Sequence, residues 1–368
     1  FANSISDKAL RYDLTVPLSR FVQQNLNEIT LPFKRFQTQL VWRADRPQKG
    51  RYREFLQCDV DIIGEKNFLN EVECIKVYDY VFENLGLPKL VLRINNRKIL
   101  EGISKIMNIS SLSEISSTLD KSDKIGIDGV VDELAKKGIN AESIDKLLFF
   151  LNIEGSNENK MDIVRKEFNS KNISSDSIDS IQKIINTCDQ FKLNNIEIKF
   201  DLSLARGLGY YTDTIVEVSS PKEFNIGSIG GGGRYDDLVQ KNNPKLSGFG
   251  ISFGFDRIFL ILEELKLFPT LLDSSKSFLF LNFGTDKIFN FIDSVNQLRK
   301  DGIVCEIYPS DVKIKKQLDY ANKKGIDFVV IIGDDELRKD IFKVKDMSKG
   351  EELTFTQINS LTEKIKEI

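Results

Sequence analysis

The sequence predicts an α+β protein: an antiparallel sheet flanked by helices, interrupted by a helical insertion and followed by a small α/β domain. Three observations carry that prediction. Residues 33–63 alternate apolar and polar side chains on both sides of a charged loop, as an antiparallel hairpin does. Between roughly 100 and 190 the pattern changes to short helical stretches rich in Ser, Lys, Asp, Glu, Asn and Ile. Beyond residue 277, strand and helix patterns alternate.

Composition sets the bounds. The 368 residues are 41% hydrophobic and 29% charged, enough for two or three domains with real cores. Net charge is −3, so any nucleic-acid contact must come from local basic patches. Cys58, Cys74, Cys188 and Cys305 lie far apart, which indicates neither a zinc site nor a disulfide framework. A reducing cytoplasm is the expected setting. No apolar run reaches membrane-spanning length and no secretory pattern opens the chain. There is no histidine, which excludes a Ser-His-Asp triad, a Cys-His dyad and His-ligated metal. The first residue is Phe1 rather than Met, which suggests a fragment.

In order along the chain, Leu10, Tyr12 and Leu14 alternate with Arg11, Asp13 and Thr15. This predicts a strand that feeds a helix over about 17–26. The hairpin follows, with strands over about 35–43 and 53–63. On its second strand Arg53, Phe55, Gln57, Asp59 and Asp61 point one way, and Leu56, Cys58, Val60 and Ile62 the other. The apolar side is expected to face the core. The polar side carries more chemistry than a solvated face needs. The loop holds Arg43, Arg46, Lys49, Arg51 and Arg53 against Asp45 and Glu54, which suits a polyphosphate or nucleic-acid ligand. Residues 68–85 have helical period, and 90–94 form a short strand before a helix opened by Asn95, Asn96 and Arg97. Within the helical stretch, 130–137, 143–151 and 176–191 are the clearest helices.

Residues 196–218 read as two strands around a glycine-containing turn. The stretch GSIGGGGRYDDL at 227–238 lacks the Lys-Ser/Thr ending of a phosphate-binding loop and opens no βαβ unit. Residues 248–265 run from a glycine-punctuated strand into an amphipathic helix with Phe255, Ile258, Phe259 and Leu262 as its buried stripe. Arg257 lies off that stripe in the first turn, where a cation opposes the helix dipole. Residues 269–277 read as a linker. The remainder predicts strands at 278–283, 303–308 and 326–332, helices at 286–300 and 313–324, a helical start near Asp334 and a hairpin at 341–356. Lys313, Lys315, Lys316, Lys323 and Lys324 make a basic surface that suits either plain solvation or RNA contact.

Several of these strings resemble the class II aminoacyl-tRNA synthetases, in the form found in histidyl-tRNA synthetases. Arg43, the loop RPQKGRYREF and QCDVD resemble motif 2. LRYDLTVP at 10–17 resembles the strand that meets the α-amino group of histidine, and ARGLGYYT at 205–212 the second histidine-specific motif. The segment around Arg257 resembles motif 3. Residues 315–337 and VKDMSKGEE resemble the anticodon-binding domain shared with the prolyl, threonyl and glycyl enzymes. The resemblance implies a class II catalytic sheet over 1–98 and 193–268, a helical insertion over 99–192 and an anticodon-binding domain over 276–368. It also implies a eukaryotic-like sequence whose motif 1 would precede residue 1.

The implied activity is ligation of histidine to tRNA(His) through histidyl-adenylate, with ATP as substrate, Mg²⁺, no zinc, a homodimer and a cytoplasmic location. Arg43 and Arg206 would bracket the α-phosphate and the histidine carboxylate. Arg257 would hold the far phosphates, Phe55 would stack on adenine with Asp45 near its amino group, and Arg51 and Arg53 would reach the triphosphate or the tRNA end. Asp61 and Tyr211 would meet the imidazole, Gln57, Asp13 and Thr15 the amino group, and Tyr235 would line the pocket, while Tyr210 would pack. Gly209 stands where the family usually has Asp, and Asp61 where it usually has Glu. The rival readings are regulatory relatives: a subunit of the ATP phosphoribosyltransferase of histidine biosynthesis, or the synthetase-like sensor of a stress kinase. The anticodon-type segment argues against the first, and the three arginines against the second. Sister prolyl or threonyl enzymes are disfavoured by ARGLGYYT.

Overall fold

The computed structural model describes residues 8–109, 112–205, 209–221, 223–224, 226–241, 243–268 and 276–368. The chain divides into two compact units, Phe1–Leu267 and Phe268–Ile368.

In the first unit, α1 (Thr15–Gln24) precedes the hairpin β1 (Phe33–Trp42) and β2 (Glu54–Gly64). Helix α2 (Leu69–Asn84), strand β3 (Leu90–Asn96) and helix α3 (Arg97–Ile106) follow. Next come α4 (Leu112–Leu119), α5 (Ser122–Lys136), α6 (Ala141–Leu151), α7 (Asn157–Ser170) and α8 (Asp176–Gln190). The chain then returns to strands with β4 (Ile196–Phe200), β5 (Thr214–Ser219) and β6 (Ser228–Arg234), then α9 (Asp236–Val239), β7 (Ser247–Gly254) and α10 (Phe255–Glu264).

The strands form one sheet in the order β1-β2-β7-β6-β5-β3-β4, antiparallel except where β3 meets β4. Residues 196–218 therefore do not make a hairpin, because β3 lies between β4 and β5. One face of the sheet is apolar. Ile62, Phe249, Ile251, Phe253, Val216, Val218, Leu92 and Ile94 are buried there against α2, α3 and α8. Tyr78 stacks on Phe82, and both meet Phe253 edge-on. Each such fully buried side chain contributes roughly 1.5–3 kcal/mol. The apolar side chains of α3–α8 join the same cluster, so the helical stretch and the sheet share one core. Asn96 caps α3, its side chain accepting from Lys98 N at 2.9 Å.

Two local expectations are corrected. Residues 8–14 are not a strand, and the helix starts at Thr15 rather than near 17. Pro17 fits inside it because the first turn of a helix has no intrahelical use for its N–H groups. The buried stripe of α10 is Ile258, Ile261 and Leu262, whereas Phe255 and Phe259 are exposed.

The second unit contains β8 (Ser277–Phe280), α11 (Thr285–Ile288), α12 (Ile292–Lys300), β9 (Val304–Ile307), α13 (Ile314–Lys324), β10 (Phe328–Ile331), α14 (Asp334–Lys339), β11 (Ile341–Asp346), β12 (Glu352–Thr356) and α15 (Leu361–Glu367). Its sheet runs β12-β11-β10-β8-β9, with β10, β8 and β9 parallel and the β11–β12 hairpin antiparallel. The single helix expected over 286–300 is broken into α11 and α12, where Phe291 turns inward to stack on Phe280.

Candidate active site

The face of the first sheet opposite the core is polar yet buried. Register places Gln37, Asp59, Ser252, Gly231, Glu217 and Arg93 in one row across six strands. Arg35, Asp61, Gly250 and Gly233 form the next row. The alternation along β2 is as the sequence predicts, but its burial is inverted at the cleft. Asp59 and Asp61 are 3% and 2% exposed, while Cys58 and Val60 are only half-buried.

Above this face lies a cleft of about 370 Å³. Arg43, Asp45, Arg51, Phe55, Gln57, Tyr211 and Arg257 line it, so seven of the sequence-nominated residues converge. Arg43 ends the hairpin strand. Its Nε donates to Tyr12 O at 3.0 Å, and its guanidinium sits 5.0 Å from the centroid of the Phe55 ring. Arg51 pairs with both oxygens of Asp45, at 3.1 and 3.0 Å. Arg257 is not a surface cation: its Nε donates to Gly50 O at 2.7 Å and its Nη1 to Ser228 O at 2.6 Å. The loop turns at Gly50, whose φ of +70° favours glycine, and this brings that carbonyl to Arg257. The two arginines are thus mounted on backbone and aimed at the same space.

Deeper in the site, Asp61 accepts from Tyr235 OH at 2.6 Å and pairs with Arg35 Nη2 at 2.9 Å. A methyl group at position 250 would overlap Asp61 Oδ1, so that strand needs glycine for the carboxylate to lie flat against it. Tyr235 is held from behind. Arg234 binds Glu71 and Ser247, and Asp236 accepts from Ser247 OH at 2.6 Å and from Gly248 N at 3.3 Å. The Arg and Asp of GGRYD are therefore a buried scaffold around the turn that carries Tyr235. Asp13, just ahead of α1, accepts from Val16 N at 3.2 Å and from Tyr210 OH at 2.9 Å. Tyr210 thus hydrogen-bonds as well as packs. Thr15 begins α1 and is buried. Arg206 lies outside the described residues. Gly209 is exposed, and a Cβ there would meet nothing within 4 Å, so neither space nor backbone demands glycine.

The carboxylates are the electrostatic signature of the site. Burial raises the Asp13 and Asp61 carboxyls above the usual range, against the pull of Arg35 and the hydroxyl donors. Burial, and then the neighbouring Asp61, push Asp59 up to about 7. Tyr211 is raised by burial and by the same three carboxylates. Arg35 and Ser252 were not singled out from sequence, Asp59 was placed on the polar face without a role, and Tyr210 was expected only to pack. Arg35 could be found only once the hairpin register set it opposite Asp61. Asp59 carried a signal, since it shares the strand face of Gln57 and Asp61.

Comparison with known proteins places this geometry. A family model described as histidyl-tRNA synthetase matches residues 6–258, and one described as an anticodon binding domain matches 282–368. A "Histidine--tRNA ligase" from Christiangramia forsetii is 45% identical over 95% of this chain and 77% of its own. One from Azobacteroides pseudotrichonymphae is 48% identical over 93% of this chain and 75% of its own. The crystal structure of histidyl-tRNA synthetase from Nostoc sp. PCC 7120 superposes with a TM-score of 0.76 at 31% identity, covering 98% of this chain and 83% of that one. The expectations of a eukaryotic-like sequence and of a missing motif 1 find no support in these matches, whose sources are bacterial.

Proposed function

The chain belongs to the histidyl-tRNA synthetase family, and from that premise we propose how its residues divide the work. The reaction is ATP-dependent ligation of histidine to tRNA(His), with histidine, ATP and tRNA(His) as substrates. A carboxylate oxygen of histidine attacks the α-phosphorus of ATP, the bond to the β-phosphate oxygen breaks, and pyrophosphate leaves. A hydroxyl of the terminal tRNA ribose then attacks the activated carbonyl and displaces AMP. The chain works chiefly by positioning and by charge stabilisation.

Arg43 and Arg206 bracket the α-phosphate and the carboxylate, and Arg257 holds the far phosphates. Phe55 stacks on adenine, with Asp45 near its amino group and Arg51 reaching the triphosphate or the tRNA end. Gln57, Asp13 and Thr15 serve the amino end of histidine. Asp61 and Tyr211 meet the imidazole, with Tyr235 behind Asp61. A pocket built to pair both ring nitrogens rejects analogues that lack them, because its buried polar groups then go unpaired. The observation that carries this division is the convergence of Arg43, Phe55, Gln57, Tyr211 and Arg257 on one cleft.

Mg²⁺ supplies charge neutralisation on the triphosphate. The described carboxylates of the cleft, Asp45, Asp120, Glu217 and Asp256, form no group of three that would cage a metal. One or two of these side chains would help hold such an ion beside the phosphates whose charge it would share. We assign residues 1–98 and 193–268 to the catalytic domain, 99–192 to an insertion and 276–368 to anticodon binding, in a cytoplasmic homodimer. No described helix is long and apolar enough to cross a membrane. The test is ATP–pyrophosphate exchange with Arg43→Ala and Arg206→Ala. Each should lose histidine-dependent exchange by about 10²-fold or more while keeping the wild-type circular dichroism. Near-normal exchange in either variant removes that residue from its role.

A further inference from the structure

Lys66 stands just beyond the end of β2, the strand that carries Asp61, and its ammonium reaches two buried carboxylates. Its Nζ lies 2.7 Å from Asp213 Oδ2 and 3.7 Å from Asp236 Oδ2. Asp213 closely follows Tyr211, where the chain enters β5, and Asp236 follows Tyr235 and opens α9. One cation therefore joins the three segments that present Asp61, Tyr211 and Tyr235.

Asp213 draws donors from further elements as well. Asn96, at the end of β3, donates its amide to Asp213 Oδ1, and Lys98 Nζ lies 3.6 Å from Oδ2. Burial pushes the Asp213 carboxyl up, but Lys66, Lys98 and Asn96 outweigh burial and hold it below the usual carboxylate range. Thr212 fastens the same junction: its N–H donates to Arg234 O at 2.8 Å, and its hydroxyl accepts from Asp236 N at 3.2 Å. The ring of Tyr211 lies against Gly233, where a Cβ would fall 2.7 Å from its Cδ1. The place of that ring is thus set by how closely its segment lies on β6 and the turn beyond.

Lys66, Asp213 and Asp236 are not among the described residues that line the cleft. Lys66 and Asp213 instead line a separate cavity of about 290 Å³, with Asn67, Ser180 and Lys183. An ion pair between two exposed side chains is worth little. Here the lysine is half-exposed, but both carboxylate side chains are only 10% exposed, and loss of the shared ammonium leaves two like charges at one junction.

We propose that Lys66 is a positioning residue of the histidine pocket: by bridging Asp213 and Asp236 it fixes the segment that carries Tyr211 against the turn that carries Tyr235. It acts through those two tyrosines and touches no substrate. The inference rests on the histidine reading above and adds a support behind that pocket.

The test is steady-state ATP–pyrophosphate exchange by Lys66→Gln, Lys66→Arg, Asp213→Asn and the double variant Lys66→Gln/Asp213→Asn. Lys66→Gln should raise the histidine KM about fivefold while the ATP KM stays within about twofold of wild type. Lys66→Arg keeps the charge and should stay within about twofold on both. The double variant should be no worse than the more impaired single one, because both changes break the same contact. An unchanged histidine KM in Lys66→Gln, a matching rise in both KM values, no rescue by arginine, or losses that add in the double variant overturns the proposal. If Asp213→Asn does not fold, the comparison of glutamine with arginine at position 66 decides alone. Absence of histidine-dependent exchange in the wild-type protein would instead overturn the reading beneath it.

Discussion

Replacing Arg35 by methionine removes the one cation among the described residues that pairs with Asp61 and keeps most of the volume. The two side chains are 11% and 2% exposed, so the carboxylate is left behind with little water. Breaking a buried pair from one side costs about 3–5 kcal/mol. Tyr235 still donates to Asp61, which favours the lower end of that range. The cost has a pH signature. Burial already holds the Asp61 carboxyl above its ordinary value, and loss of Arg35 raises it further. A carboxyl raised in the folded state keeps its proton longer than in the unfolded chain, so stability falls as pH rises through the interval between the two values. The variant's deficit should therefore be largest at pH 8 and smaller by about 1 kcal/mol or more at pH 5. Urea unfolding followed by tryptophan fluorescence measures it cleanly, because the single tryptophan, Trp42, ends β1 in the same unit. A deficit under about 1 kcal/mol at pH 8, or one independent of pH, would refute the argument that Arg35 neutralises Asp61.

Other changes test other contacts. Gly250→Ala forces a methyl group onto Asp61 Oδ1, and should raise the histidine KM in exchange at least tenfold with the ATP KM little changed. Arg257→Ala should do the reverse, raising the ATP KM while leaving histidine binding by calorimetry near wild type. Tyr210→Phe takes one donor from the buried Asp13 and should cost about 1–3 kcal/mol in urea unfolding. Without histidine, Asp59→Asn should melt higher than wild type, and by more at pH 8 than at pH 5. The wild-type carboxyl, facing Asp61, Asp13, Tyr211 and Arg35, titrates only near 7, so the folded state loses ground as pH rises from about 4 to 7.

The sequence carried the parts of this site that depend on spacing alone. Period two on β2 put Phe55, Gln57, Asp59 and Asp61 on one face, and the hairpin mounted Arg43 at its end. What stayed hidden depends on neighbours distant in the chain. The apolar face of β2 packs on the core as expected, but the polar face also lies covered, and Gln57, Asp59 and Asp61 are more buried than Cys58 and Val60. Residues 8–14 alternate like a strand, yet α1 begins at Thr15 and tolerates Pro17 in its first turn. GSIGGGG has no side-chain alternation to mark a strand, yet β6 is an inner strand of the sheet, its missing side chains leaving room for Tyr78, Tyr211 and β7. The stripe of α10 failed at Phe255 because that end of the helix borders the cleft.

The most direct measurement is ATP–pyrophosphate exchange by this chain with each of the twenty amino acids, one at a time and without tRNA. The account predicts exchange with histidine alone. Exchange driven by a different amino acid, or no exchange with histidine from folded protein that still binds it, would contradict it.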